Sequence, residues 1–151
     1  MPHCRTKYFE TIAYEEASVL HFPAGLPGFE NERRFLSLEQ PVHKPLVFLQ
    51  SLTTPDLCFV ALPVQSIEPA YELEMDEADR ELLGLDPSRP AATQKDLLSL
   101  ALVTIEESGI VANLFAPIVI NTTSLRAVQA ISPSQRYSHR HALGEERAVC
   151  S

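Results

Sequence analysis

Along most of the chain, apolar and polar positions alternate in short bursts, the spacing of half-buried strands rather than of helices. Residues 7–14 and 17–22 read as two short strands, favoured by aromatic and β-branched side chains (Tyr8, Phe9, Ile12, Tyr14, Val19). Glu15-Glu16 between them reads as the polar turn of an antiparallel hairpin. Residues 35–38 alternate again. Residues 46–52 and 57–62 make a second hairpin pattern across Thr53-Thr54-Pro55-Asp56, and Pro63, which has no N–H, ends its ladder. Residues 64–75 set Tyr71, Leu73 and Met75 against Glu72 and Glu74, the pattern of an edge strand with one apolar and one acidic face. Further on, residues 97–105, 110–114, 118–121 and 125–131 are apolar. They are separated by Glu106-Glu107-Ser108-Gly109, by a bend at Phe115-Ala116-Pro117, and by Asn121-Thr122-Thr123-Ser124. At the start of 97–105, periodicity leaves a helix open as an alternative.

One segment carries helix signals. Asp76 is an N-cap residue, and Glu77 and Asp79 fall in the first turn, where the macrodipole favours anions. Leu82 and Leu83 supply apolar contact, Gly84 offers a left-handed stop, and Pro87 prevents continuation. Residues 40–45 and 86–95, each with two prolines, read as loops. After Ser132 the apolar density falls, with Tyr137 and Leu143 as docking points and residues 144–151 as a mobile tail. The sum is about nine short strands and one short helix, with no internal repeat and no separating linker. That predicts an all-β fold, a compact antiparallel barrel or sandwich, formed as a single domain over residues 1–143.

The stretch Phe22-Pro23-Ala24-Gly25-Leu26-Pro27-Gly28-Phe29-Glu30 is a turn with unusual apolar content. Pro27 presets φ for the second turn position, and Gly28 supplies the positive φ that a type II turn needs at the third. Phe22, Leu26 and Phe29 surround it, so the turn is expected to tuck into the core and aim the flanking strands. Its glycines lack phosphate-loop spacing.

Composition narrows the function. The 151 residues, 45% hydrophobic, suffice for one globular core. No apolar run approaches the ~20 residues that span a bilayer, and the N-terminus shows no secretory pattern. Cys4, Cys58 and Cys150 are odd in number and widely spaced, which suits free thiols in a reducing cytoplasm and argues against structural zinc. The formal net charge is −8, and it is concentrated. Glu68, Glu72, Glu74, Asp76, Glu77, Asp79, Glu81 and Asp86 stand against Arg80 alone. Direct nucleic-acid binding is disfavoured by that charge, whereas a basic protein partner fits it, as does a merely solubilising acidic face.

Catalytic patterns are not apparent. His139-x-His141 could place two imidazoles on one strand face, but no carboxylate partner is indicated, and a solvated segment explains them as well. Glu15-Glu16 and Glu106-Glu107 lie in turns. Cys58 sits inside an apolar strand as a small core side chain, and Ser51 and Ser66 lack nucleophile-elbow context. The expectation is a protein that is not an enzyme and needs no cofactor or metal.

Taken together, the turn from Phe22 to Glu30, then Phe35, Leu49-Gln50-Ser51, Pro55-Asp56-Leu57-x-Phe59, and Ala112-Asn113-Leu114-Phe115-Ala116-Pro117-Ile118-Val119-Ile120-Asn121 resemble the flagellar assembly factor FliW family. The order and spacing match from about Tyr8 to Leu143. Departures fall at Leu62-Pro63, where the family usually has Asp-Pro, at the residues before Tyr71, and at Tyr137-Ser138-His139-Arg140-His141. The resemblance implies a small, non-catalytic cytoplasmic β-barrel. It implies binding to the RNA-binding translational repressor CsrA, which relieves repression of flagellin synthesis, and binding to flagellin itself. The free state expected is a monomer.

Within that resemblance, Gly25, Pro27, Gly28, Asn113, Pro117 and Asn121 either mark a contact surface or simply define turns, as do Phe22, Leu26, Phe29, Glu30, Gln50 and Ser51 around them. The acidic stretch, with Glu72, Glu74, Glu77 and Asp79, is the expected border of the CsrA site, because a basic RNA binder would be steered by it. The alternatives are a chaperone-like flagellin binder without CsrA antagonism, and a metal enzyme built on His139 and His141.

Overall fold

The computed structural model describes residues 1–86, 88 and 96–143. The expected tail at 144–151 and nearly all of the expected loop at 86–95 lie outside the described residues. Ten strands and two short α-helices are present among the described residues, in the order β1 (His3–Arg5), β2 (Thr11–Ala13), β3 (Leu20–His21), β4 (Arg34–Leu38), β5 (Val47–Ser51), β6 (Cys58–Pro63), α1 (Val64–Ile67), α2 (Glu77–Leu83), β7 (Leu97–Glu106), β8 (Gly109–Asn121), β9 (Ala127–Gln129) and β10 (His141–Ala142). β1 and β2 pair only with each other. The remaining eight form one antiparallel sheet in the order β10-β8-β7-β6-β5-β4-β3, with β9 also on β8.

That sheet curls until its edges nearly meet. The His21 N–H at the β3 edge donates to the Leu125 carbonyl just before β9, at 2.8 Å, and His21 bridges Arg126 in parallel. The enclosed core holds Leu20, Phe22, Leu26, Phe35, Leu49, Leu100 and Ile118, all buried. The architecture is therefore the barrel-like member of the two predicted arrangements.

Closure is possible because β8 is long and changes its outer partner halfway. β7 runs along one side of it, with Leu97 opposite Asn121 and Glu106 opposite Gly109. On the other side β10 pairs with Val111 and Ala112, whereas β9 pairs with residues from Ile118 to Ile120. The changeover is a bulge. Between the pairs Leu100/Ile118 and Leu102/Asn113, Ala101 alone faces residues 114–117. A bulge bends and twists the strand that carries it. The Asn113 Oδ1 accepts from the Ala116 N–H at 2.9 Å and so pins the bulge from within. Pro117 completes it without wasting a donor, since proline has none.

α2 follows its sequence signals closely. The Asp76 carboxylate accepts from the Asp79 N–H at 2.8 Å, and Gly84, at φ 71 and ψ 32, turns the chain out. The helix is too short to persist alone, and Leu83 anchors it in a cluster with Met75, Val119 and Val128.

Three expectations need correction. The N-terminal hairpin turns at residues 6–10, not at Glu15-Glu16. The Thr6 hydroxyl accepts from the Phe9 N–H and donates to the Glu10 carbonyl, and Glu10 takes φ 59, so local side-chain bonding outweighs the strand preference of Tyr8 and Phe9. Glu16 instead opens a 3-10 turn and pairs with Arg34 at 2.7 Å. Residues 64–75 are not a strand. They begin as α1 and continue without ladder bonds, although Tyr71 and Met75 do point inward while Glu72 is exposed. Alternation survives because the segment lies flat on the barrel, and Pro69 cannot donate to a neighbour. Finally, the turn around Gly28 buries Phe22 and Leu26 but leaves Phe29 44% exposed, edge-on to Phe59 at 5.7 Å.

The same turn separates two kinds of glycine. Leu26 and Phe29 exchange backbone hydrogen bonds of 3.2 and 2.7 Å around Pro27-Gly28, and Gly28 at φ 83 fills the third position as a type II turn requires. A Cβ on Gly28 would meet nothing within 4 Å, whereas one on Gly25, at φ 67, would stand 2.4 Å from the Glu30 carbonyl oxygen. Gly25→Ala is expected to destabilise the fold by about 3 kcal/mol, and Gly28→Ala by only about 1 kcal/mol. Urea denaturation of both variants beside the parent measures the difference, and equal losses would contradict this geometry.

Candidate protein-binding site

The turn and the acidic helix, distant in sequence, share one concave surface. A groove of about 250 Å³ is lined by Ala24, Gly25, Pro27 and Glu30 from the turn, Asp79 and Leu82 from α2, and Val128 and Gln129 from β9. β9 is the common support. Leu82 packs with Val128 beneath the helix, and the Asn121 side-chain amide donates to the Leu83 carbonyl at 2.9 Å, fixing the C-terminal end of α2 to the end of β8. The result is an apolar floor with carboxylates on two rims.

Asp79 is the chemically unusual group there. Partial burial, and then the neighbouring Asp76 carboxylate, push its pKa from 3.8 up to about 6. An incoming ammonium or guanidinium would relieve both effects. Glu30 faces the groove from the opposite rim, with its carboxylate accepting from the Gly28 N–H at 3.0 Å.

The other acids predicted as contacts lie elsewhere. Glu77 is exposed in the first turn of α2. Glu72 pairs with Arg136, and Glu74 accepts from Ser132 and Ser134, so both touch the segment after Ser132. Those serine bonds hold the Glu74 carboxyl below its usual range. The segment docks further than its polarity suggested. Tyr137 stacks on Tyr71 with centroids 4.3 Å apart, the Tyr71 hydroxyl donates to the Leu114 carbonyl, and β10 adds to the sheet.

The remaining motif residues organise the barrel. Asn121 accepts from the Thr123 N–H at 3.0 Å in addition to its bond to α2. Gln50 is fully buried, and its amide donates to the Ser51 and Pro55 carbonyls. The Ser51 hydroxyl donates to Glu32 and accepts from the Thr53 and Thr54 N–H groups, while the Thr54 hydroxyl donates to the second Glu32 oxygen at 2.6 Å. Glu32 therefore clamps the β5–β6 turn. Sequence reasoning missed it, because nothing local separates it from other surface acids and both partners come from another hairpin.

Among the described residues no three His, Cys, Asp or Glu side chains converge as a metal site, and no helix is long and apolar enough to cross a membrane. Cys4 and Cys58 are free thiols, and Cys150 lies outside the described residues.

The raised Asp79 pKa fixes a sign. The folded chain takes up this proton more readily than the unfolded chain, so the group's contribution to stability falls as pH rises from about 4 to about 6. Asp79→Asn should therefore stabilise the protein at pH 7 by about 1 kcal/mol, a value discounted for the group's partial exposure. The gain should vanish near pH 4. Urea melts at both pH values test this, and a loss of stability at pH 7 would show that the helix dipole outweighs the burial.

Comparison with known proteins places this geometry. A family model described as FliW protein matches residues 3–143. A flagellar assembly factor FliW of Clostridium botulinum (strain Langeland) is 36% identical, covering 95% of this chain and 97% of its own. That of Caldanaerobacter subterraneus subsp. tengcongensis is 35% identical, covering 93% and 92%. That of Bacillus subtilis (strain 168) is 31% identical, covering 93% and 96%. A crystal structure of the flagellar assembly factor FliW superposes with a TM-score of 0.82 at 31% identity, over 96% of this chain and 99% of that one. With its turn, bulge and barrel all inside the matched span, the chain belongs to the FliW family of flagellar assembly factors.

Proposed function

We propose that this chain is a non-catalytic cytoplasmic factor that binds the translational regulator CsrA, relieves its repression of flagellin synthesis, and also binds flagellin. The observation that carries this reading is the meeting of the signature turn with acidic α2 in one groove, on a chain whose family is one of flagellar assembly factors. A regulator that binds RNA phosphates is expected to present basic side chains. Glu72, Glu74, Glu77 and Asp79 then accelerate encounter with it and repel competing RNA. Two partners on one small barrel suffice for a switch, provided that binding of one lowers affinity for the other, and by linkage that coupling is reciprocal.

Calorimetric titration of this protein with CsrA, with and without prebound flagellin, tests the reading. Binding to CsrA that flagellin abolishes is the expected result. Binding to flagellin with no heat from CsrA would leave a chaperone-like flagellin binder instead. Replacing Glu72, Glu74 and Glu77 by Gln and Asp79 by Asn together should slow CsrA association about tenfold at low salt and flatten its salt dependence. Stopped-flow association at several salt concentrations reads this, with a thermal melt to confirm that the variant is folded. Unchanged rates would remove the acidic surface from the site.

A further inference from the structure

Residues 133–142 lie along the outside of the bulged half of β8. Among them only Tyr137 and His141 are partly shielded; the others are exposed. The segment contains Arg136, His139, Arg140 and His141 and no acidic residue. The surface it covers is of opposite sign, with Glu72 facing Arg136 and Glu106 facing Arg140. Its main-chain contacts are those of an added strand. The Ser138 carbonyl accepts from the Leu114 and Phe115 N–H groups at 3.0 and 3.1 Å, β10 pairs with Val111 and Ala112, and the Leu143 N–H donates to the Ile110 carbonyl at 2.9 Å.

The grip is light. Both arginine pairs are solvent-exposed and individually weak. The ladder is only two residues long, and Gln135 is held at φ 54, a left-handed conformation unfavourable for its side chain. Beneath lie groups that demand a cover. The bulge turns the Leu114 and Phe115 N–H groups away from β7, and Tyr71, Ala112 and Leu114 form an apolar seat on which Tyr137 of this segment rests, with Leu143 just beyond it. Sheet edges of this kind accept extended peptides, with main-chain bonds supplying affinity and neighbouring charges selecting the sequence.

We propose that residues 133–142 are a displaceable strap, and that the β8 edge beneath them docks an extended basic segment of a partner protein, which takes the strap's place. The chain's own strap is the template for that partner: a strand-forming stretch with an aromatic residue for the Tyr71 seat and cations placed for Glu72 and Glu106. This rests on the reading of the chain as a protein-binding factor and adds a second docking surface, apart from the groove beside α2, with the chemistry that it selects.

The test uses the full chain and a fluorescein-labelled peptide with the sequence of residues 132–143. In an Arg136→Glu/Arg140→Glu variant the strap is weakened, and the peptide should bind at least about tenfold more tightly than to the parent, whose tethered strap competes at high effective concentration. Val111→Cys with Ala142→Cys, which are paired in the ladder, should lock the strap when oxidised and abolish peptide binding until reductant is added. Cys150→Ser removes a competing thiol, Cys4 is buried, and burial pushes the Cys58 thiol up to about 11, out of exchange near neutral pH. Equal peptide affinity for parent, weakened and locked forms overturns the proposal.

Hydrogen exchange of the unsubstituted protein gives an answer that needs no variant. The Leu114 and Phe115 amides should exchange at least about tenfold faster than those of the β7–β8 ladder, and equal protection would show that the strap does not open. Neither readout uses CsrA or flagellin, so it is separable from the functional reading. If the parent binds neither protein, that reading fails while the peptide still decides the strap. If the locked form binds them as tightly as the reduced form, the edge is not their dock and the proposal fails.

Discussion

The bulge in β8 is the constraint on which the rest of the barrel depends. A regular strand of that length would keep one straight partner on each side and would leave the sheet open. By setting residues 114–117 against Ala101, the chain turns its direction sharply between two hydrogen-bonded regions. β9 can then follow the second half of the strand and carry the chain back to β3, where His21 and Leu125 close the gap. The bulge survives because its polar groups are satisfied: Asn113 takes the Ala116 N–H, Gln129 donates to the Ala116 carbonyl, and the Ala130 N–H reaches the Pro117 carbonyl. Left unpaired in this buried setting, each such group would cost about 1–3 kcal/mol.

Placement of charge follows from that geometry. Closing the sheet seats α2 on β9 beside the glycine turn, and this sets Asp79 of the acidic segment across a groove from Glu30. Farther from α2, Glu72 and Glu106 meet arginines of the returning chain, and Glu74 meets Ser132 and Ser134. The apolar core sets the shape, and individual carboxylates fasten its turns: Glu32 at the β5–β6 turn and Asp76 at the start of α2.

Much of this was legible in the sequence where the signal was local. The type II turn at Pro27-Gly28, the cap and stop of α2 at Asp76 and Gly84, and the hairpin at Pro55-Asp56 each rest on residues that are neighbours in the chain. What was not legible depends on distant partners. Thr6 redirects the first hairpin through bonds that strand propensity does not weigh. Residues 64–75 have the alternation of a strand but no neighbour to bond to, and alternation alone cannot report that. For the candidate site, the turn and the acidic helix were each visible, but their meeting was not, because β9 brings them together. Glu32 and the docking of Tyr137 on Tyr71 were likewise hidden by sequence separation.

The His21–Leu125 bond has a consequence for synthesis. It joins a strand made early to a turn made only after β8, so the barrel cannot close until that turn has emerged from the ribosome. Until residues 125–131 appear, the β3 edge stays unpaired and the glycine turn lacks the β9 wall of its groove. The period in which this edge is open to aggregation therefore lasts until β9 has been made.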